Sequence, residues 1–265
     1  MAAMKIRGII LAPTLGLGLS LATGCGIKLG YRHFPGPIEP ASTAIASSEQ
    51  QAQYVIGDDH SITFVVDRLE ITLLPLSQDM LNRQFATVSN YADGYAQANP
   101  YTGPTNPYTY GEWKPPGEDE APDRFTVFLL KVKNYAYPKV QIDPVNIYIT
   151  SPNGRRYEAL SFAALVEYYW PYAVAYGGNA RGKFSDRRDL IRRTLFRDDL
   201  IFSGQEQDGH VVFAPLDYDV EEFTVHIEHM PLRYDFKGEP VETIDIDFPF
   251  QREVYYAKSR PVEAN

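Results

Sequence analysis

Side chains capable of chemistry are few in this sequence. Cys25 is the single cysteine among 265 residues, so neither an intramolecular disulfide nor a zinc site built from several cysteines can form. His226 and His229 lie three apart in a β-like run, which predicts side chains on opposite faces and poor shared metal geometry. Neither an H-E-x-x-H pair nor a G-x-S-x-G nucleophile elbow is present. Acidic residues gather at Asp58-Asp59, at Asp217, Asp219, Glu221 and Glu222, and at Asp245 and Asp247. Residues two apart on a strand share a face, so Asp245 and Asp247 could meet a Ca²⁺ together. The simpler reading makes them the wet face opposite Ile244, Ile246, Phe248 and Phe250. A protein that is not an enzyme, with no metal and no dissociable cofactor, is the expectation. A hydrolase remains the alternative, because two catalytic carboxylates can come from distant parts of a chain.

Two further clusters suit binding better than catalysis. Phe162 to Tyr176 concentrates Tyr168, Tyr169, Trp170, Tyr172 and Tyr176 around Pro171. Proline opposes a continuous helix, so a helix is predicted to end near Tyr169 and the aromatics to spread over a corner. They form either a lid over one open end of the domain or an exposed platform for a protein, glycan or lipid headgroup. A basic run follows, containing Arg181, Lys183, Arg187, Arg188, Arg192, Arg193 and Arg197. Ser185 suits a helix N-cap, and Asp189 lies four residues before Arg193. The run reads as a solvated helix face, or else as a patch for an anionic partner. Together Tyr168, Tyr169, Trp170, Tyr172, Arg187, Arg188, Arg192 and Arg193 are the candidate partner or ligand surface.

What carries these clusters follows from the rest of the chain. Lys5 and Arg7 precede an uncharged, mostly apolar run from Gly8 to Leu21, which is short of the roughly 20 residues that a spanning helix needs. Small residues then lead to Cys25, completing an export-signal pattern. Leu21-Ala22-Thr23-Gly24-Cys25 resembles the lipobox of bacterial lipoproteins, although that family prefers leucine where Ala22 stands. The resemblance implies cleavage of residues 1–24 by signal peptidase II, with diacylglycerol on the Cys25 thiol and an acyl chain on its new amine. Several acyl chains hold a protein firmly on a bilayer where one holds it only marginally. Gly26 is not the aspartate that retains such proteins at the inner membrane in enteric-type bacteria. The implied location is thus the periplasmic face of an outer membrane.

The formal net charge of −9 falls by two more without Lys5 and Arg7, which argues against nucleic acid as a partner. Expected partners are the lipid bilayer through Cys25 and a protein of the envelope. Residues 25–60, with proline and small polar residues, read as the lipidated N-terminus and a flexible tether. Tyrosine and proline are abundant (19 and 20), which favours β-structure with long loops. A single domain is expected over 61–254, with a C-terminal tail over 255–265. Alternation begins at Ile62, Phe64 and Val66 and changes phase at Asp67-Arg68, suggesting a bulge or a crossing between sheets. Residues 78–87 suit a short helix. Residues 89–122 form a long Tyr/Pro-rich loop, loose or else a contact loop, in which NPYT occurs twice.

Arg124 to Asn134 is the clearest strand, apolar on both faces at first and then alternating. Ser151-Pro152-Asn153-Gly154 marks a hairpin. After a helical insert over 162–198, strands resume at His210–Phe213, Phe223–Ile227 and Ile244–Phe250. About seven strands without alternating helices predict a mainly β fold, an antiparallel immunoglobulin-like β-sandwich. FTVFLLKVKN (125–134), the Pro-Asn-Gly hairpin with Tyr157, and FSGQEQDGHVVF (202–213) resemble uncharacterised envelope lipoproteins with immunoglobulin-like domains. That resemblance implies a binding or scaffolding module, with a glycan- or peptidoglycan-binding protein or hydrolase of the periplasm as the alternative.

Overall fold

The computed structural model describes residues 32–41, 54–89, 105–111, 113–115, 118, 121–176 and 178–258. The predicted signal segment, Cys25, and the first NPYT motif lie outside the described residues. So do parts of the expected tether, of the Tyr/Pro-rich loop and of the C-terminal tail.

In chain order the first strands are β1 (Arg32–Pro35), β2 (Glu39–Pro40), β3 (Tyr54–Ile56), β4 (Ile62–Val66) and β5 (Leu69–Leu76). The phase change at Asp67-Arg68 is neither a bulge nor a crossing. Val66 pairs with Leu69, so β4 and β5 form a hairpin whose two-residue turn has Asp67 at φ 52°. Aspartate tolerates that left-handed conformation better than most residues. Helix α1 (Gln78–Gln84), capped by the Ser77 side chain on the Met80 N–H, and the single turn α2 (Ala86–Ser89) follow as expected. The middle strands are β6 (Thr126–Asn134), β7 (Lys139–Val140), β8 (Ile147–Thr150) and β9 (Arg156–Glu158). The expected hairpin at Asn153-Gly154 joins β8 to β9, with Gly154 at φ 82°. Helices α3 (Phe162–Tyr176) and α4 (Gly178–Thr194) precede β10 (Ile201–Phe202), β11 (Gln205–Phe213), β12 (Glu222–Tyr234), β13 (Pro240–Gln251) and β14 (Val254–Ala257).

Ten of these strands form two five-stranded antiparallel sheets, ordered β11-β6-β5-β4-β3 and β2-β13-β12-β8-β9. The sheets share one apolar core, with Ile71, Leu73, Phe128, Leu130 and Val132 from the first against Ile149, Val225, Ile227, Phe248 and Phe250 from the second. The protein is thus mainly β, with antiparallel layers consistent with a sandwich.

A third layer explains the two-faced start of β6. Phe128 and Leu130 enter the inter-sheet core, whereas Phe125 and Val127 pack outward against Leu165, Tyr169, Phe184 and Ile191 of α3 and α4. Further along, Lys131 is exposed and ordinary alternation returns. The insert therefore covers the outer face of the first sheet, where an open end of the sandwich was expected.

Three further expectations need correction. First, α3 runs through Pro171 to Tyr176, and α4 starts at Gly178, well before Ser185. Pro171 and Glu167 both lie on the exposed side, so the carbonyl that proline leaves without an N–H is open to water. Burial of Tyr169 and Ala173 on the opposite side favours continuing the helix. Second, the segment read as tether is partly built into the fold, since β1 pairs with β14, β2 with β13 and β3 with β4. Third, residues 255–257 of the expected tail complete the β1–β14 pair. The alternation in these short segments is too brief to register as strands, and only their partners make them so.

Gly209 shows how closely the layers meet. A Cβ there would lie 2.5 Å from both the Cα and N of Phe196, where the chain leaving α4 crosses β11. Both obstacles are backbone atoms and cannot rotate away. Gly209→Ala should therefore lower the urea midpoint by the equivalent of about 1–3 kcal/mol. An unchanged midpoint would show that the crossing is looser than described.

Candidate functional site

The aromatic and basic clusters meet on α3 and α4, which form an antiparallel hairpin. Trp170 packs on Phe184 with ring centroids 5.5 Å apart, and Arg192 lies over Phe162 at 5.4 Å. The face turned to the sheet carries Leu165, Tyr169 and Ala173 from α3 and Phe184, Arg187 and Ile191 from α4.

Between helices and sheet lies a polar seam. Tyr169 is buried, donates to the Pro107 carbonyl at 2.5 Å, and accepts from Arg124 Nη1 at 3.3 Å. Arg124, also buried, donates to the Thr109 carbonyl at 2.8 Å and stacks on Tyr110 at 3.9 Å. The Arg187 guanidinium lies 5.0 Å from the Tyr169 ring, so two cations flank one aromatic face system. Burial pushes the phenols of Tyr108, Tyr168 and Tyr169 up, which keeps them protonated and able to donate. Burial also works to lower the Arg124 guanidinium, but the surrounding tyrosines outweigh it and the net direction is up.

The second NPYT motif is the plug of this seam. Asn106 donates to Ser89 Oγ at 2.9 Å and accepts from the Tyr108 N–H at 3.0 Å. Tyr108 bonds the Thr194 hydroxyl at 2.5 Å, joining the loop to the end of α4. Residues 106–109 are buried, so this part of the Tyr/Pro-rich loop is neither loose nor a contact surface.

The predicted surface residues therefore divide. Tyr169 and Arg187 face inward and belong to no exposed platform. Tyr168 and Tyr172 are half-buried, with Tyr168 edge-on to Phe125 at 5.0 Å. Trp170 is 53% exposed, and Arg192 and Arg193 are exposed. Arg188 is half-buried beside Asp189 at 3.7 Å. Arg193 reaches the Asp189 backbone carbonyl at 3.3 Å instead of forming the expected carboxylate pair. Sequence spacing could not make this division because the supposed break at Pro171 hid the helical phase that sorts the residues into faces.

A second arrangement was not anticipated. On the outer face of the second sheet, the Thr150 hydroxyl lies 2.7 Å from His226 Nε2, and His226 Nδ1 lies 2.6 Å from Asp247 Oδ1. Tyr148 stacks on the imidazole at 4.8 Å and donates to Glu228 at 2.5 Å. Asp247 and Thr150 hold the two ring nitrogens from opposite sides, and the same contacts tie β8, β12 and β13 together. His226 and His229 were expected on opposite faces. A register shift between Ile227 and Met230, with His229 at φ 56°, turns both outward, and His229 stands 3.7 Å from Asp245. Asp245 and Asp247 thus serve the two histidines on the exposed face. Among the described residues no group of three or more His, Cys, Asp or Glu is placed to hold a metal ion. Among the same residues no helix is long and apolar enough to cross a membrane.

Two measurements probe the seam. Tyr169→Phe removes a buried donor and leaves the Pro107 carbonyl short of a partner, which should cost about 1–3 kcal/mol in urea unfolding. Arg193→Ala, on the exposed side, should change stability by only about 0.5 kcal/mol. Equal effects would contradict the inward and outward assignment.

His210, buried beside Tyr108 with ring centroids 4.9 Å apart, is held down to about 4 from 6.5, chiefly by burial. A histidine harder to protonate when folded leaves stability intact above 6.5 and erodes it as pH falls toward 4. The loss should approach about 3 kcal/mol at full titration. His210→Phe should flatten unfolding free energy across that window, whereas an unaltered slope would remove His210 as its source.

Comparison with protein-family models, with curated proteins and with solved structures returned no match.

Proposed function

We propose that this chain is a lipid-anchored protein of the bacterial envelope that acts as an interaction or scaffolding module without enzymatic activity. The anchor is diacylglycerol and an acyl chain on Cys25, most simply at the periplasmic side of an outer membrane. Its support is the joint occurrence of Lys5 and Arg7, a short apolar run, and small residues ending at the single cysteine. We take the β-layers to be of immunoglobulin-like type. That assignment draws on the chain's passage from one sheet (β3–β6) to the other (β8–β9), back for β11, and over again for β12 and β13.

The observation that carries the binding role is the way the helical hairpin is mounted. Tyr169, Arg124 and the buried 106–109 segment fasten it to the first sheet, while Trp170, Val174, Arg192 and Arg193 remain outside. A preorganised aromatic and arginine surface loses little freedom on binding, and tryptophan and arginine are the residues that most often dominate protein contacts. The partner class is a protein of the same envelope.

Two linked experiments test the reading. Cys25→Ser should leave the membrane fraction and lose the acylated N-terminal peptide in mass spectrometry. Chemical crosslinking of the anchored protein in cells should trap a defined protein, lost on combining Trp170→Ser with Arg192→Glu and Arg193→Glu. Unchanged fractionation of the serine variant would end the anchor reading. A crosslinking pattern indistinguishable from background would end the module reading.

A further inference from the structure

The anchor, combined with the strand pairing, has a geometric consequence for orientation. Residues 32–35 are held as β1 against β14, with Arg32 opposite Ala257 and Pro35 opposite Val254. Gly36 N–H bonds the Glu253 carbonyl at 2.7 Å, and Ala41 N–H bonds Pro249 at 3.0 Å, so the attachment continues toward β13. Between Cys25 and Arg32 there are seven Cα-to-Cα steps. Whatever conformation they take, seven steps span at most about 25 Å. A body of roughly 200 residues is about 40 Å across by the scaling of compact domains. The leash is therefore shorter than the body it holds, and the corner where β1 lies must be the part nearest the acylated sulfur.

That corner carries an aromatic group. Tyr218 and Tyr256 are 56% and 51% exposed, and the His33 ring sits against both, at 5.3 Å and 4.9 Å. The loop bearing Tyr218 is held by the buried Arg252, which donates to the carbonyls of Leu216, Asp217 and Val220 at 2.7 to 3.2 Å. The nearby Asp217 and Asp219 are bridged by Arg155, and Arg32 pairs with Glu118, which limits repulsion from anionic headgroups. Tyrosine, apolar in its ring and polar at its tip, suits the boundary between water and lipid.

We infer that the β1–β14 corner rests on the headgroup layer of the bilayer that carries the acyl chains, with Tyr218 and Tyr256 at its surface. This rests on the anchor reading given above. The long β12–β13 hairpin then points away. Its strands run about 40 Å from the Glu222 end to the turn, where Phe236 is 92% exposed.

The test uses the acylated mature chain in vesicles of phosphatidylethanolamine and phosphatidylglycerol doped with a nickel-chelating lipid. Acylation consumes the Cys25 thiol, so one introduced cysteine can take a spin label selectively. Labels at Tyr218→Cys and Lys258→Cys should show relaxation enhancement several-fold above that at Phe236→Cys. Inserting about 20 Gly/Ser residues between Leu29 and Gly30 raises the leash's maximum span to about 90 Å, roughly twice the body's width, and should bring Lys258→Cys down toward the Phe236→Cys value. Acylated protein with equal enhancement at all three sites overturns the orientation while sparing the anchor. Enhancement at Lys258→Cys unaffected by the insertion overturns the leash as its cause. Absence of acyl chains in the intact mass overturns the anchor reading itself.

Discussion

Strands β6 and β11 are buried on both faces along the end where they pair Phe128 with Val211 and Val127 with Val212, and the architecture follows from that constraint. A strand apolar on one face can finish a sheet; a strand apolar on both needs a layer on each side. The second sheet supplies one cover through Phe223, Phe248 and Phe250. Helices α3 and α4 supply the other, and they do so only over the part of β6 that lacks outward charge. The switch at Lys131 from two-faced burial to alternation marks where the helical cover stops.

The helical cover brings polar groups into a dry place, and the seam of Arg124, Tyr169 and residues 106–109 is how they are accommodated. Buried hydroxyls and guanidinium groups destabilise a fold unless they find acceptors, and here backbone carbonyls of an irregular loop serve. Through the Pro107 and Thr109 carbonyls the loop is fastened to α3 and to Arg124, just ahead of β6. The exposed side of the hairpin is thereby mounted on the first sheet, a preorganisation that suits the proposed contact role.

A similar economy ties two segments far apart in the sequence. β1 and β14 are each too short to stand alone, and together with the Arg252-held loop they close a corner that neither would form unaided. The proposed lipid anchor and this corner lie close in sequence, so attachment and orientation become one property. Under that proposal, a tether free to residue 60 would let the body tumble above the surface, whereas pairing of β1 with β14 shortens the free leash.

Local pattern determined much of this protein by itself. The alternation around Ile71 and Val132, the Asn-Gly hairpin, the helix capped by Ser77, and the double-faced start of β6 are all encoded within a few residues, because pleat and turn chemistry act at short range. The segment on which the proposed anchor rests, Leu21 to Cys25, is equally local. Tertiary structure decided what local pattern states wrongly or not at all. Pro171 stays within a helix because the burial of Tyr169 and Ala173 outweighs one missing hydrogen bond. Tyr169 and Arg187 turn inward while Trp170 turns outward, a division that depends on which face of a helix meets the sheet. His226 and His229 share a face through one register shift. Arg32–Pro35 becomes a strand because Val254–Ala257, more than 200 residues away, provides its partner. In each of these the deciding energy is a contact between distant segments, and no window of neighbouring residues contains it.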